Sequence, residues 1–177
     1  QSKFIVKKHN LHQLSTGELL RNEIINKTKL GLEISSIISS GNLVSDKIAS
    51  DLIEKFVSNI DYKNRLIFDG YPRNLIQVRN LNNLLKKYDQ KVDMVLKLSV
   101  SLETIKKRIS ERKTLEQRVD DNEKIAIKRY KMYEENIKPV IEFYKQSNLL
   151  TVVNGEKTIS EISDEISGLI EGNKGWL

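Results

Sequence analysis

The chain has 177 residues, 31% charged and 38% hydrophobic, which fits one soluble domain with a sizeable core and excludes a disordered or fibrous chain. No apolar run approaches membrane-spanning length, and zero cysteines exclude disulfides and thiolate metal sites. The net charge of +6 could suit nucleic acid, but the lysines are scattered over Lys7-Lys8, Lys86-Lys87, Lys106-Lys107 and Lys128 to Lys131, and no single dense basic tract stands out. They read as solvated helix faces, so neither a nucleic-acid nor a membrane partner is expected.

In chain order, Gln13 and Leu14 read as a short strand ending before Ser15. Helices are predicted over 16–26, 30–39 and 46–59. The short apolar run Leu66 to Phe68 reads as a buried strand. It ends in Asp69, Gly70 and Pro72, so the chain turns sharply and leaves a carboxylate at the strand's carboxyl end. Arg73 and Gln77 stand four residues apart, around the start of a predicted helix over 75–88, and share one face. Parallel α/β sheets bind ligands at the carboxyl ends of their strands. An acid, a guanidinium and an amide gathered there suit a metal ion, a phosphate and a nucleobase edge.

Met94 to Leu98 reads as the next buried strand, followed by a helix over 102–111 that sets Arg108 and Arg112 on one face. A long helix is predicted over 122–146, with Asp120-Asp121 placed to cap it. Leu150 to Val153 is a further strand, and Thr158 with Glu161 forms a capping box that opens a last helix. Strands alternating with helices predict an α/β fold, a mostly parallel sheet covered by helices on both faces. His9 and His12 read as surface or packing residues, and Trp176 lies in a loose tail that begins near Gly172.

Five segments in register resemble the nucleoside monophosphate kinases, and the adenylate kinases in particular. They are Ser15 to Arg21, Gly41 to Asp46, Asp69 to Arg73 with Gln77, Arg118 to Asp121 with Arg129, and Val153 to Gly155 with Lys157. The resemblance implies a P-loop NTPase-like fold in a single kinase domain over 1–177, with an AMP-binding insertion over 15–44 and a short lid over 112–121. It implies an AMP site made by Thr16, Arg21, Asn42, Leu43, Val44, Gly70, Tyr71, Pro72, Arg73, Gln77, Arg118 and Arg129. It places Arg108, Arg112 and Lys157 on ATP. Arg73, Arg108, Arg112, Arg118 and Arg129 would stabilise the transferred phosphoryl group, whose spread charge suits rigid guanidinium forks. Asp69 would hold Mg²⁺ through its water shell. Only Lys113 to Gln117 separate Arg112 from Arg118, so the lid resembles the short type, in which no structural zinc is expected.

The implied reaction is ATP plus AMP giving two ADP, by a cytoplasmic monomer serving nucleotide biosynthesis. Within the fold, Thr16 and Gln77 favour AMP over the alternative of UMP or CMP. A non-catalytic nucleotide-binding paralogue is the alternative of a different class, and has no evident use for the lid arginines and Asp69. The sequence departs from the family at one point: no Gly-x-x-x-x-Gly-Lys phosphate loop occurs in the 177 residues. Gln1 to Lys8 resemble the remainder of the helix that follows that loop. The chain therefore reads as amino-terminally truncated, with the first, central strand of five missing and two inner strand edges unpaired. Low stability alone and no kinase activity as written are the expectations.

Overall fold

The computed structural model describes residues 1–116 and 123–172, with side chains described except at 111–116, 123, 124 and 126. The elements alternate as α1 (Ser2–His9), β1 (His12–Ser15), α2 (Thr16–Ile25), α3 (Lys29–Ser39), α4 (Asp46–Val57), a 3-10 turn (Ile60–Tyr62), β2 (Leu66–Asp69), α5 (Leu75–Lys87), β3 (Val95–Ser99), α6 (Leu102–Glu116), α7 (Glu123–Gln146), β4 (Leu150–Asn154) and α8 (Ile159–Gly172).

Side-chain caps fix where several helices begin. Ser15, Thr28, Ser45 and Asn74 each accept a backbone N–H from the first turn of α2, α3, α4 and α5. Thr158 and Glu161 close the predicted capping box at α8, with Glu161 N–H donating to Thr158 Oγ1 at 3.3 Å and Thr158 N–H donating to Glu161 Oε2 at 2.9 Å. One helix outruns its prediction. Expected to end at 111, α6 continues to Glu116, because residues 112–116 contain neither glycine nor proline to stop it. The first five positions of the predicted lid are therefore helical, and 117–121 lie outside the described residues.

All strand pairs are parallel, as predicted, but they form two separate pairs. β1 lies beside β2 in the register His12–Leu66 to Ser15–Asp69, and β3 beside β4 in the register Val95–Leu150 to Ser99–Asn154. Among the described residues, β2 and β3 are not hydrogen-bonded to each other. Apolar packing joins the pairs instead. Ile67 of β2 and Leu96 of β3 both lean on a cluster of Ile5, Leu11, Val153, Ile162, Ile166 and Ile170, supplied largely by α1 and α8. On the other side α5 buries Leu81 and Leu85 beside Leu14 and Phe68, and Val78 against Val140 and Tyr144 of α7. His12 and His9 are packing residues: the His12 ring lies tilted against Tyr62 with centroids 4.3 Å apart, and His9 Nε2 lies 3.2 Å from Ser167 Oγ.

Candidate active site

The parallel register brings Ser15 and Asp69 side by side, so β1 and β2 deliver their following turns to one place. Thr16, buried in the first turn of α2, donates its hydroxyl to the Gly70 carbonyl at 3.1 Å. Arg73 Nε donates to the same carbonyl at 2.7 Å. Gly70 has φ +76°, and the Tyr71–Pro72 peptide is cis, with Tyr71 buried in the core beneath. Two donors on one carbonyl fix the Arg73 stem, leaving the tip of its fork for another partner.

Gln77 is buried and its amide is half spent. Its Oε1 accepts from Arg73 N–H at 2.7 Å, and its Nε2 donates to Asp46 Oδ1 at 2.7 Å. One N–H and one lone pair remain, which is what an adenine edge can use. Asp46, the first residue of α4, also accepts from Asn74 Nδ2 at 3.0 Å. It joins two helices at the site, a role that its place in the turn motif did not reveal.

A second guanidinium approaches from α7. Burial, and then the Arg129 guanidinium, push the Arg73 pKa down, while Asp69 and Tyr133 oppose the shift. Arginine stays charged regardless. Like charges held together in a buried place fit an anion between them. Tyr133, one turn beyond Arg129 on α7, has its phenol pushed up by burial and drawn partly back by Arg73. No sequence motif singled it out. Arg21 lies over the first turn of α2, where a Cβ on Gly17 would stand 3.2 Å from its Nη1.

Asp69 Oδ2 accepts from Gln13 Nε2 at 2.9 Å and from Ser2 Oγ at 3.4 Å. No cluster of three or more metal-ligating side chains occurs among the described residues. One oriented, exposed carboxylate suits a hydrated Mg²⁺ that takes its other contacts from phosphate. The turn after α3 carries the remaining predicted AMP contacts. Val44 packs between two apolar clusters, Leu43 is partly exposed, and Asn42 Oδ1 accepts from Lys128 Nζ at 2.8 Å.

The other strand pair ends in a second loop. Arg108 Nη2 donates to the Gly155 carbonyl at 2.8 Å and lies 3.4 Å from the Lys157 carbonyl. Lys157 Nζ is paired with Glu165 Oε2 at 2.7 Å. Arg108 thus organises the loop, and the Lys157 ammonium is engaged with α8. The start of α1 bridges the two loops, since Gln1 Nε2 donates to the Ile159 carbonyl at 3.1 Å while Ser2 reaches Asp69. Arg118, Asp120 and Asp121 lie outside the described residues, as does the side chain of Arg112.

A family model described as adenylate kinase matches residues 1–149. The adenylate kinase of Pelagibacter ubique strain HTCC1062 is 39% identical over 197 aligned positions, covering 97% of this chain and 92% of that protein. Those of Fusobacterium nucleatum subsp. nucleatum and Bifidobacterium longum strain NCC 2705 are 34% and 35% identical, over 94% and 97% of this chain and 89% and 92% of their own. The first alignment is 197 positions long against 177 residues, so at least 20 positions of that relative have no counterpart here.

Proposed function

This chain belongs to the adenylate kinase family, a family of nucleotide kinases, and on that premise we propose that it serves transfer of a phosphoryl group from ATP to AMP, giving two ADP. The observation that carries this reading is the Gly70 carbonyl shared by the Thr16 hydroxyl and Arg73 Nε, which fixes the Arg73 guanidinium beside the buried Gln77 amide, with the Arg129 guanidinium near enough to press on its charge. Two rigid forks there would receive the AMP phosphate and stabilise charge as it spreads over the transferred group. Arg21 would add a third cation. Adenine would lie over Val44 and meet the free half of the Gln77 amide. Arg108 and Lys157 would serve ATP through the loop they shape, joined by Arg112 and Arg118 from the lid.

Asp69 fits a hydrated Mg²⁺, because the Gln13 amide fixes its carboxylate through Oδ2 while Oδ1 has no hydrogen bond among the described residues. When bound, that ion neutralises phosphate charge. The β- and γ-phosphates need an amide cradle and a lysine of the Gly-x-x-x-x-Gly-Lys type, which these 177 residues do not contain. In a protein carrying that element ahead of Gln1, initial rates with ATP-Mg²⁺ and AMP, CMP or UMP test the reading. AMP should be turned over fastest; faster turnover of CMP or UMP would overturn the specificity. We read the working unit as a cytoplasmic monomer, which sedimentation would check as one chain per particle.

A further inference from the structure

Three neighbouring residues of α7 meet the end of α3. Ile125 lies against Gly41, where an added Cβ would stand 2.9 Å from Ile125 Cγ2. Lys128 Nζ donates to the Ser40 carbonyl at 3.1 Å and to Asn42 Oδ1 at 2.8 Å. Arg129 Nη2 lies 3.4 Å from the Ile38 carbonyl. The helix α3 ends at Ser39, so these carbonyls lie at its partly negative terminus, where Ile38 already accepts the Gly41 N–H at 3.0 Å. Two cations at that end have the stabilising sign.

Lys128 does more than balance charge. One ammonium spans Gly41, holding the carbonyl before it and the side chain after it. Gly41 has φ +77°, so the chain reverses there, and the Ile125 contact leaves no room for a side chain. Asn42 Nδ2 also donates to Ser40 Oγ at 3.1 Å, which closes a small ring of contacts around the reversal. With two of its three N–H groups occupied, the ammonium faces the turn.

We propose that Lys128 is a positioning residue that clasps the 41–44 turn to α7, presetting the surface against which the nucleotide base packs. The proposal rests on the reading of that turn as part of the AMP site. It also places the clasp next to Arg129 in sequence, so one helix both shapes the turn and supplies a phosphate-facing cation. Loss of the clasp should weaken AMP binding without touching ATP.

Lys128→Met tests this, because it keeps the stem and removes the donors. Without nucleotide, amide exchange at Gly41 and Asn42, whose N–H groups donate to the Ile38 and Ile37 carbonyls, should rise about tenfold. By calorimetry the AMP Kd should rise about tenfold while the ATP Kd stays unchanged. Asn42→Ala is the second variant, and should loosen the turn less. The double variant should be no looser than Lys128→Met alone. Unchanged exchange in Lys128→Met would overturn the clasp, and a loosened turn with unchanged AMP affinity would overturn its positioning role. Wild-type protein that binds no AMP would overturn the AMP reading itself, and the clasp would then stand or fall on exchange alone.

Discussion

Arg73 shows how much one side chain can be asked to do. Its Nε is committed to Gly70 and its N–H to Gln77, while the Arg129 guanidinium nearby disfavours its charge. Arg73→Ala should cost about a hundredfold to a thousandfold in kcat/KM for AMP in turnover-competent protein, the range for losing a fixed donor to developing charge. Arg73→Lys should recover little, since a lysine cannot hold Gly70 and present a fork together. Steady-state rates at varied AMP check both, and near wild-type kcat and KM in Arg73→Ala would refute the role. Arg73 and Gln77 do meet, but through the Arg73 main-chain N–H two residues before α5 begins, so the helical face expected from their spacing is not what joins them. Asp46 was not legible as the anchor of Gln77, and neither was Lys128 as the partner of Asn42. Their contacts cross 31 and 86 residues, and no local spacing encodes a separation of that kind.

At the scale of elements, two helices approach closely where α2 meets α3. A Cβ on Gly31 would stand 2.0 Å from the Glu23 carbonyl oxygen, which is backbone and cannot swing away. Gly31→Ala should destabilise by about 1–3 kcal/mol or more through forced separation of the helices. A lowered urea midpoint with unchanged slope would check it, and an unchanged midpoint would refute the close approach. The second loop carries a pH-dependent fastening. The Glu156 carboxyl is held below its ordinary value of 4.5 by the Thr104 hydroxyl, then by the Ser101 amide, tying β4–α8 to the start of α6. A depressed carboxylate stabilises fully above its ordinary pKa and loses that effect as pH falls through the folded value. Wild-type Tm should therefore decline from about pH 5 downward more steeply than that of Glu156→Gln, which should start lower at neutral pH. Parallel curves would exclude the fastening. Most helix starts were legible because Ser, Thr or Asn caps mark them. The end of α6 was not, since nothing in 112–116 marks a stop or forbids one.

At the scale of the molecule, the sheet's class was readable and its connectivity was not. Apolar runs between helices indicate parallel strands, yet only the fold shows β1 meeting β2 across the 50 residues of helix and loop from 16 to 65. Leu66, Ile67 and Phe68 remain half-buried, although parallel strands are normally covered on both faces and paired along both edges. Free strand edges present unpaired backbone groups and weaken a sheet. The two pairs are held together by the α1–α8 cluster and by α5, which packs on β1 and β2 and on the cluster that includes Val95 and Leu150. An extended apolar strand between β2 and β3 would satisfy both edges. The start of α1 is fixed to Asp69 on one side and Ile159 on the other. The 177-residue polypeptide by itself is therefore expected to bind AMP through Thr16, Arg21, Arg73 and Gln77 but to form no ADP. Joining an apolar strand and a Gly-x-x-x-x-Gly-Lys loop ahead of Gln1 should raise the melting temperature and confer turnover, because the loop supplies the amide cradle for the β- and γ-phosphates. Thermal melts and coupled ADP assays on both polypeptides make the comparison. Robust ADP formation by the unextended chain would require another phosphate site within these residues, and an extended chain that melts no higher would show that the two edges do not receive a strand.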